Sequence, residues 1–283
     1  MKETTCSPVL LKCEMRTLDT SRFRDADKYA AYLKTPAGRL RSELSWENLR
    51  RFLPRTPSRR RALDLGGGTG FASVQLARMG FQVALLDSSE EMIGTARREA
   101  EASSTTARIS FHHAEADRLP ELFEAGSFDV VTCHNLLEYL EDPLTVVHHV
   151  AHVLRTDGVL SLLVRNRAGE VLRAAIRSGD WKLAAASLSA ETVTDSLFGE
   201  PVRVFSPNDV RSMLAGAGLA AAAEHGVRVF SDYVDLSNLG SETYRQLFEL
   251  ELTLGARPEF AAIARYTQVV ARPDKPSRRE TGP

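Results

Sequence analysis

Arg61-Ala62-Leu63-Asp64-Leu65-Gly66-Gly67-Gly68-Thr69-Gly70 is the stretch that decides how this chain is read. Ala62, Leu63 and Leu65 have the character of a buried strand end, three consecutive glycines follow, and Phe71-Ala72-Ser73-Val74-Gln75-Leu76-Ala77 resumes a helical pattern. The reading is strand, tight turn, helix. Glycine suits such a turn because a Cβ would block the approach of a ligand to the backbone, and because the turn needs positive φ. The spacing Asp64-x-Gly66-x-Gly68-x-Gly70 is not the dinucleotide fingerprint. A G-x-G-x-x-G/A frame opened at Gly68 would put its third small position on Ser73, and one opened at Gly66 would put it on Phe71.

About twenty residues on, a nucleoside binder should show an acidic residue at the end of its second strand, placed to accept hydrogen bonds from ribose hydroxyls. Gln82-Val83-Ala84-Leu85-Leu86-Asp87 supplies it, and Ser88 with Glu91 has the spacing of a capping box for the next helix. The acidic residue followed by G-x-G-x-G, with Asp87 at the next strand end, resembles the first motifs of the class I S-adenosylmethionine (SAM) methyltransferases. That resemblance implies SAM as cofactor, with Asp64, Gly66, Gly67, Gly68 and Asp87 at its site.

At 283 residues, 43% hydrophobic and 26% charged, the chain has the make-up of an ordinary globular protein with room for one large domain or a domain with an inserted lobe. A net charge of −1 excludes a generally basic nucleic-acid binder and says nothing about a local patch. Cys6, Cys13 and Cys133 lack metal-ligand spacing and suit a reducing cytoplasm. Val9-Leu10-Leu11 is too short for the core of a signal peptide, and no stretch reaches the roughly 20 apolar residues of a membrane helix. A soluble, cytoplasmic protein is expected.

Strands and helices alternate from Arg61 to Val164, the pattern of a doubly wound, Rossmann-like α/β fold with a mostly parallel seven-stranded sheet. Residues 1–20 read as a flexible arm, 21–271 as one domain, and 272–283 as a charged, disordered tail. Within the domain, 21–57 forms a helical N-terminal lid with Phe23, Tyr29, Tyr32 and Trp46, or else a helix packed on the sheet edge. The run Arg50, Arg51, Arg55, Arg59, Arg60 and Arg61 is either a solvated face or a docking surface for an anionic macromolecule.

Strands are expected over Arg108–His113, Phe128–Cys133 and Val159–Val164, then near Leu219–Phe230 and Phe260–Ala271. The turn after the third strand passes the adenine in this fold, which makes Ala116 and Asp117 candidates for the base pocket. His134 follows the fourth strand and Arg165 the fifth, at the carboxyl ends where open α/β sheets gather ligands. Between about 165 and 205 the alternation lapses, and the segment reads as an inserted substrate-side lobe. His148 and His152 share a helix face at i, i+4, but no third ligand stands near in sequence, so no metal site is expected.

Leu40-Arg41, Leu63 to Gly68, His134 with Leu137-Glu138, Gly226-Val227-Arg228-Val229-Phe230 with Asp232-Tyr233, and Ala264-Arg265-Tyr266 together resemble the tRNA 5-carboxymethoxyuridine methyltransferase family. The resemblance spans roughly Tyr32 to Ala271. It implies esterification of the carboxylate of a wobble-position uridine, with tRNA as partner. It further implies Arg41 on the SAM carboxylate, Gly66 and Gly67 at methionine and ribose, Asp87 at ribose, Ala116 and Asp117 at adenine, and His134 in the same site. The chain departs from the family where a lysine-rich stretch is expected, since Ser187 to Glu200 carries Glu191, Asp195 and Glu200 and no lysine.

A carboxylate already holds the lone pair with which it attacks a methyl group, so the enzyme needs donors that orient it. Arg228, Tyr233, Arg165 and His134 are the candidate catalytic residues, because guanidinium matches carboxylate bidentately. A strand-edge ion pair and core packing are the plainer roles for Arg228 and Tyr233. A methyltransferase of the same fold acting on a small metabolite, a small carboxylate or a peptide is the alternative, and a SAM-binding regulator without catalysis the third.

Overall fold

The computed structural model describes residues 26–53 and 60–274. The expected arm, Phe23, Arg55, Arg59 and the tail beyond 274 lie outside the described residues. Two helices come first, α1 (Ala26–Lys34) and α2 (Pro36–Arg50). The alternation expected from the sequence then follows: β1 (Arg61–Leu65), α3 (Phe71–Arg78), β2 (Gln82–Asp87), α4 (Glu90–Ala102), β3 (Ile109–His113), α5 (Leu119–Leu122), β4 (Phe128–His134), α6 (Pro143–Val153) and β5 (Leu154–Arg165). The lobe holds α7 (Arg167–Leu172), α8 (Trp181–Ser187) and a small hairpin of β6 (Thr192–Thr194) and β7 (Pro201–Arg203). After it come α9 (Pro207–Gly216), β8 (Leu219–Val227), α10 (Ser241–Gly255), α11 (Pro258–Ala261) and β9 (Tyr266–Pro273).

Seven strands form one sheet in the order β3-β2-β1-β4-β5-β9-β8. The first five pair in parallel, and β9 runs antiparallel between β5 and β8. Parallel strands covered on both faces should be apolar throughout, and Leu63, Leu65, Val130, Val131, Leu160, Leu162 and Leu163 are all buried. One core lies against α5, α6 and α9, with Phe128, Val150 and Leu214. The other lies against α3 and α4, with Leu76, Phe81 and Ile93.

Helix α2 buries Leu40, Leu44 and Leu49 completely, the first two against Leu163, Val227 and Tyr266. Each such side chain contributes roughly 1.5–3 kcal/mol, so α2 is fixed to the sheet. Helix α1 buries only Ala26. Of the arginine run, Arg50 pairs with Glu47 at 2.5 Å and Arg60 lies 3.8 Å from Asp129, ordinary surface pairs.

Several element ends differ from the expectation. The cap of α4 is Ser89, whose Oγ accepts from Met92 N at 3.2 Å, because Asp87 already takes Ser89 N at 2.9 Å. Strand β8 stops at Val227, because Arg228 adopts φ 62 and turns the chain out of the sheet. Strand β9 begins at Tyr266, since Pro258 opens a short helix in what reads as strand. It runs on to Pro273, so Arg272 pairs with Ala220 and belongs to the sheet, not to a tail. In the lobe a π-helical turn over Arg173–Arg177 is followed by Gly179 (φ 62), and Asp180 caps α8. No described helix is long and apolar enough to cross a membrane.

Candidate active site

The carboxyl ends of β1, β2, β4, β5 and β8 open on one cavity of about 600 Å³. Arg41, Gly66, Gly68, Asp87, Ala116, Asp117, His134, Arg165 and Arg228 all line it, so most of the residues singled out from the sequence meet in one place. Asp64, Gly67 and Tyr233 do not line it.

The turn after β1 forms the floor. Gly66 (φ 65) and Gly68 (φ 53) have conformations that side chains rarely adopt, and a Cβ on Gly66 would lie 3.0 Å from Leu136. The Gly68 N–H donates to Asp87 Oδ2 at 2.8 Å, which braces the acidic residue beneath the turn. Burial pushes the Asp87 carboxyl up, and the N–H groups of Ser89 and Gly68 oppose that rise. Gly67 faces inward, where a Cβ would come within 2.6 Å of Leu85. Asp64 is also turned inward. Its carboxylate accepts from Ser73 N (3.0 Å), Ser73 Oγ (2.7 Å) and Thr132 Oγ1 (2.7 Å), so it joins the start of α3 to β4 and is spent on the scaffold. Asp64 and Gly67, both read from the sequence as cofactor residues, here hold the turn in shape and do not line the cavity.

Arg41 projects from α2, is 7% exposed, and forms no ion pair with a described residue. Its Nη2 donates to Tyr29 Oη at 2.8 Å, and its guanidinium lies 5.1 Å from the Tyr32 ring centroid. Arg39 is exposed and pairs with Glu43 at 2.7 Å. Tyr29 stacks on Phe198 of the lobe, ring centroids 6.4 Å apart, so α1 and the lobe meet above the cavity. The aromatics of α1 thus form a roof, while α2 is core packing that carries one guanidinium inward.

His134 Nε2 lies 2.8 Å from Ser161 Oγ, which accepts from Gln268 Nε2 at 3.0 Å. Gln268 in turn binds Ser45 O at 2.8 Å and accepts from Asn48 Nδ2 at 3.0 Å, both on α2. Ser161 has one hydrogen left to donate, so this network is satisfied when it goes to His134 Nε2 and the ring proton sits on Nδ1. Burial, and then Arg41, lower the His134 pKa to about 3, so the ring is neutral at physiological pH.

The other half of the sheet supplies arginines. Arg165 donates to Glu170 Oε1 (3.0 Å) and Asp195 Oδ1 (2.5 Å). Arg228 donates to Asp232 and, through Nη1, to Tyr32 Oη at 3.0 Å. Its Nε is buried and has no hydrogen-bond partner among the described residues. The turn that presents Arg228 hangs on Glu251 of α10, whose carboxylate accepts from Val229 N (2.6 Å), Phe230 N (3.2 Å) and Ser231 N (2.8 Å). Because the chain turns at Arg228, Tyr233, read from the sequence as a catalytic candidate, lands half-buried and does not line the cavity. Arg173, Arg177, Arg265 and Tyr266 also line the cavity, and sequence reasoning gave them no role in it. Glu138 is a further such residue, with Oε1 on Asn135 Nδ2 and Arg165 N, both at 2.9 Å. Among the described residues there is no group of three or more side chains arranged to hold a metal.

The cavity is polarised. Asp87, Glu115, Asp117 and Glu138 come from the β2–β4 side, whereas on the β5–β9 side Arg165, Arg173, Arg177, Arg228 and Arg265 outnumber the two lining carboxylates, Asp195 and Asp232, that pair with Arg165 and Arg228. The first half suits a SAM molecule: glycines leave the floor open, Asp87 lines the cavity beside the turn, and Arg41 has no ion pair among the described residues.

Residues 63–162 match the family model described as a methyltransferase domain. A SAM-dependent methyltransferase from Thermotoga maritima shares the fold, with a TM-score of 0.60 at 15% identity over 89% of this chain and 97% of that one. Another, from Mesorhizobium loti, has a TM-score of 0.52 at 21% identity over 81% and 97%. The protein is a class I SAM-dependent methyltransferase, and SAM is its methyl donor. Over 242 residues, 84% of this chain and 90% of the relative, it is 31% identical to the tRNA 5-carboxymethoxyuridine methyltransferase of Escherichia coli K12. The chain belongs to that family. It is also 28% identical to the ubiquinone biosynthesis O-methyltransferase of Aromatoleum aromaticum, over 65% of this chain and 74% of that one.

Proposed function

We propose that this enzyme esterifies a carboxylate, and that the acceptor is 5-carboxymethoxyuridine at the wobble position of tRNA. The observation that carries the carboxylate is the run of arginines on the wall facing the glycine turn and Asp87. The relative that shares 31% identity supports the tRNA acceptor.

Bound SAM supplies an electrophilic methyl group on a sulfonium. An acceptor oxygen forms the new C–O bond with its lone pair as the C–S bond breaks, so an anion and a cation yield a neutral ester and a neutral thioether with no proton to remove. Arg41 would take the methionine carboxylate and Asp87 the ribose hydroxyls. Ala116 and Asp117 would border the adenine. His134, neutral and held by Ser161, would offer Nδ1–H without adding charge beside the sulfonium. Arg228 and Arg165 would draw in and orient the acceptor, and Tyr29 and Tyr32 would exclude water.

Of Glu191, Asp195 and Glu200 in the lobe, the two glutamates are exposed, and only Asp195 weighs less against tRNA than the sequence alone implies. Asp195 is 3% exposed and occupied by Arg165 and by the Leu197 and Phe198 N–H groups. A small carboxylic acid is the second reading, favoured by the absence of lysine and arginine from residues 187–200. Methyl transfer from labelled SAM to tRNA and to small acids, followed by mild alkali, tests the reaction class. An ester releases its label in alkali; label that stays on the acceptor would mean an O- or N-methyltransferase of another kind.

A further inference from the structure

Tyr266 opens β9 and is the cross-strand partner of Arg165 in β5 and of Val227 in β8. Because β9 is antiparallel, its first residue stands at the edge where β5 and β8 end. Arg265 precedes it in the chain and Arg228 follows Val227, so three strands deliver three guanidiniums around one ring. Arg41 reaches the same ring from α2. The guanidinium carbons of Arg41, Arg165, Arg228 and Arg265 lie 5.8, 6.0, 5.9 and 5.9 Å from its centroid. Tyr266 is 4% exposed and lines the cavity. Its hydroxyl has no hydrogen-bond partner among the described residues and is not sealed from the cavity.

The guanidiniums about the ring are unequally partnered. Glu170 pairs with Arg165 and, at 2.5 Å, with Arg265; Asp195 pairs with Arg165, and Asp232 with Arg228. Among the described residues these three carboxylates pair with three of the four guanidiniums, Glu138 adds its charge beside Arg165, and Arg41 is the one without an ion pair. Tyr29 and Tyr32 are the titratable groups that α1 adds.

We propose that Tyr266 touches the acceptor: its phenolic hydrogen is donated to one oxygen of the acceptor carboxylate, whose charge the surrounding guanidiniums hold. This assignment rests on the carboxylate reading of the cavity. A donor on one oxygen fixes the rotation of the carboxylate and leaves the other oxygen its lone pair for the methyl group. Only the protonated phenol can donate, and a tyrosinate would repel the acceptor. Burial pushes the Tyr266 hydroxyl up, but the arginines outweigh it and bring it down to about 8. With cofactor bound, its methionine carboxylate takes up Arg41 and leaves Arg165, Arg228 and Arg265 to hold the hydroxyl down, so acceptor affinity falls about tenfold per pH unit above the Tyr266 pKa that the tyrosinate absorbance reads in the same complex, because binding must hold a proton that the free enzyme loses.

The test uses the full chain with S-adenosylhomocysteine bound, and two probes, the 5-carboxymethoxyuridine nucleoside and phenoxyacetate. Their affinity is measured by calorimetry from about pH 6 to about pH 10, for wild type and Tyr266→Phe. The tyrosinate absorbance is titrated in parallel. Wild type should show the break and a tyrosinate titration that either probe moves to higher pH. The Phe variant, with unchanged S-adenosylhomocysteine affinity as evidence of folding, should bind about tenfold more weakly with no break. A wild-type affinity level to about pH 10, a titration that neither probe moves, or no binding of either probe overturns the assignment. Should the tRNA acceptor fail instead, no ester would form on tRNA, while phenoxyacetate would still show the break.

Discussion

The Arg228 guanidinium donates to the Tyr32 hydroxyl at 3.0 Å, joining residues 196 positions apart in the chain. The contact ties the roof of the cavity to the turn that follows β8. The same guanidinium holds Asp232, so its geometry is fixed before any acceptor arrives. Preorganised donors of this kind lower the barrier without reorganising during the reaction.

Replacing Arg228 with lysine keeps the charge and loses the planar fork that reaches Tyr32 and Asp232 together. The single-turnover rate of Arg228→Lys should fall by about a hundredfold. Its affinity for tRNA should stay within about threefold of wild type, because one residue is a small part of so large a contact. Equal losses in rate and affinity would assign Arg228 to binding alone.

For Arg41→Lys, calorimetry with SAM should show an affinity loss of about tenfold, roughly 1–2 kcal/mol, since a buried ammonium cannot match a carboxylate bidentately. Arg39→Lys should bind as wild type does, because Arg39 is occupied at the surface by Glu43. The reverse ranking would mean that Arg41 serves the tyrosines and not the cofactor.

Glu251 is completely buried and accepts three backbone N–H groups from the Arg228 turn. In Glu251→Gln an amide N–H faces one of those donors, which should cost about 2–3 kcal/mol. The thermal midpoint should drop by about 5–10 °C, and activity should fall with it as Arg228 loses its support. A variant with the wild-type midpoint would show that the turn keeps its shape without this carboxylate.

Much of the cofactor half was legible in the sequence. The glycine run and Asp87 carry their chemistry within a few residues of one strand end each, and the family pattern added Arg41, Ala116 and Asp117. What could not be read was orientation. Asp64 sits in a strand buried on both faces, so neither periodicity nor spacing tells whether it faces ligand or scaffold. The place of Tyr233 off the cavity lining was not legible because positive φ at Arg228, a residue with a Cβ, turns the chain where the pattern reads as continuous strand. Tyr266 belongs to a motif that the sequence singled out, but its surroundings could not be read, for another reason. Only the sheet order, with antiparallel β9 between β5 and β8, brings its strand start beside Arg165 and Arg228. The roof formed by Tyr29 and Phe198 likewise depends on a lobe whose path has no periodic signal.

Nucleoside mass spectrometry of tRNA carrying 5-carboxymethoxyuridine, after incubation with the enzyme and SAM, tests the central claim most directly. The account predicts the methyl ester of that nucleoside and no other new methylated nucleoside. Its formation at subsaturating tRNA should fall steeply with salt as phosphate contacts release condensed counterions. Unmodified 5-carboxymethoxyuridine after complete turnover conditions, alongside salt-insensitive methylation of a small carboxylic acid by the same preparation, would contradict it.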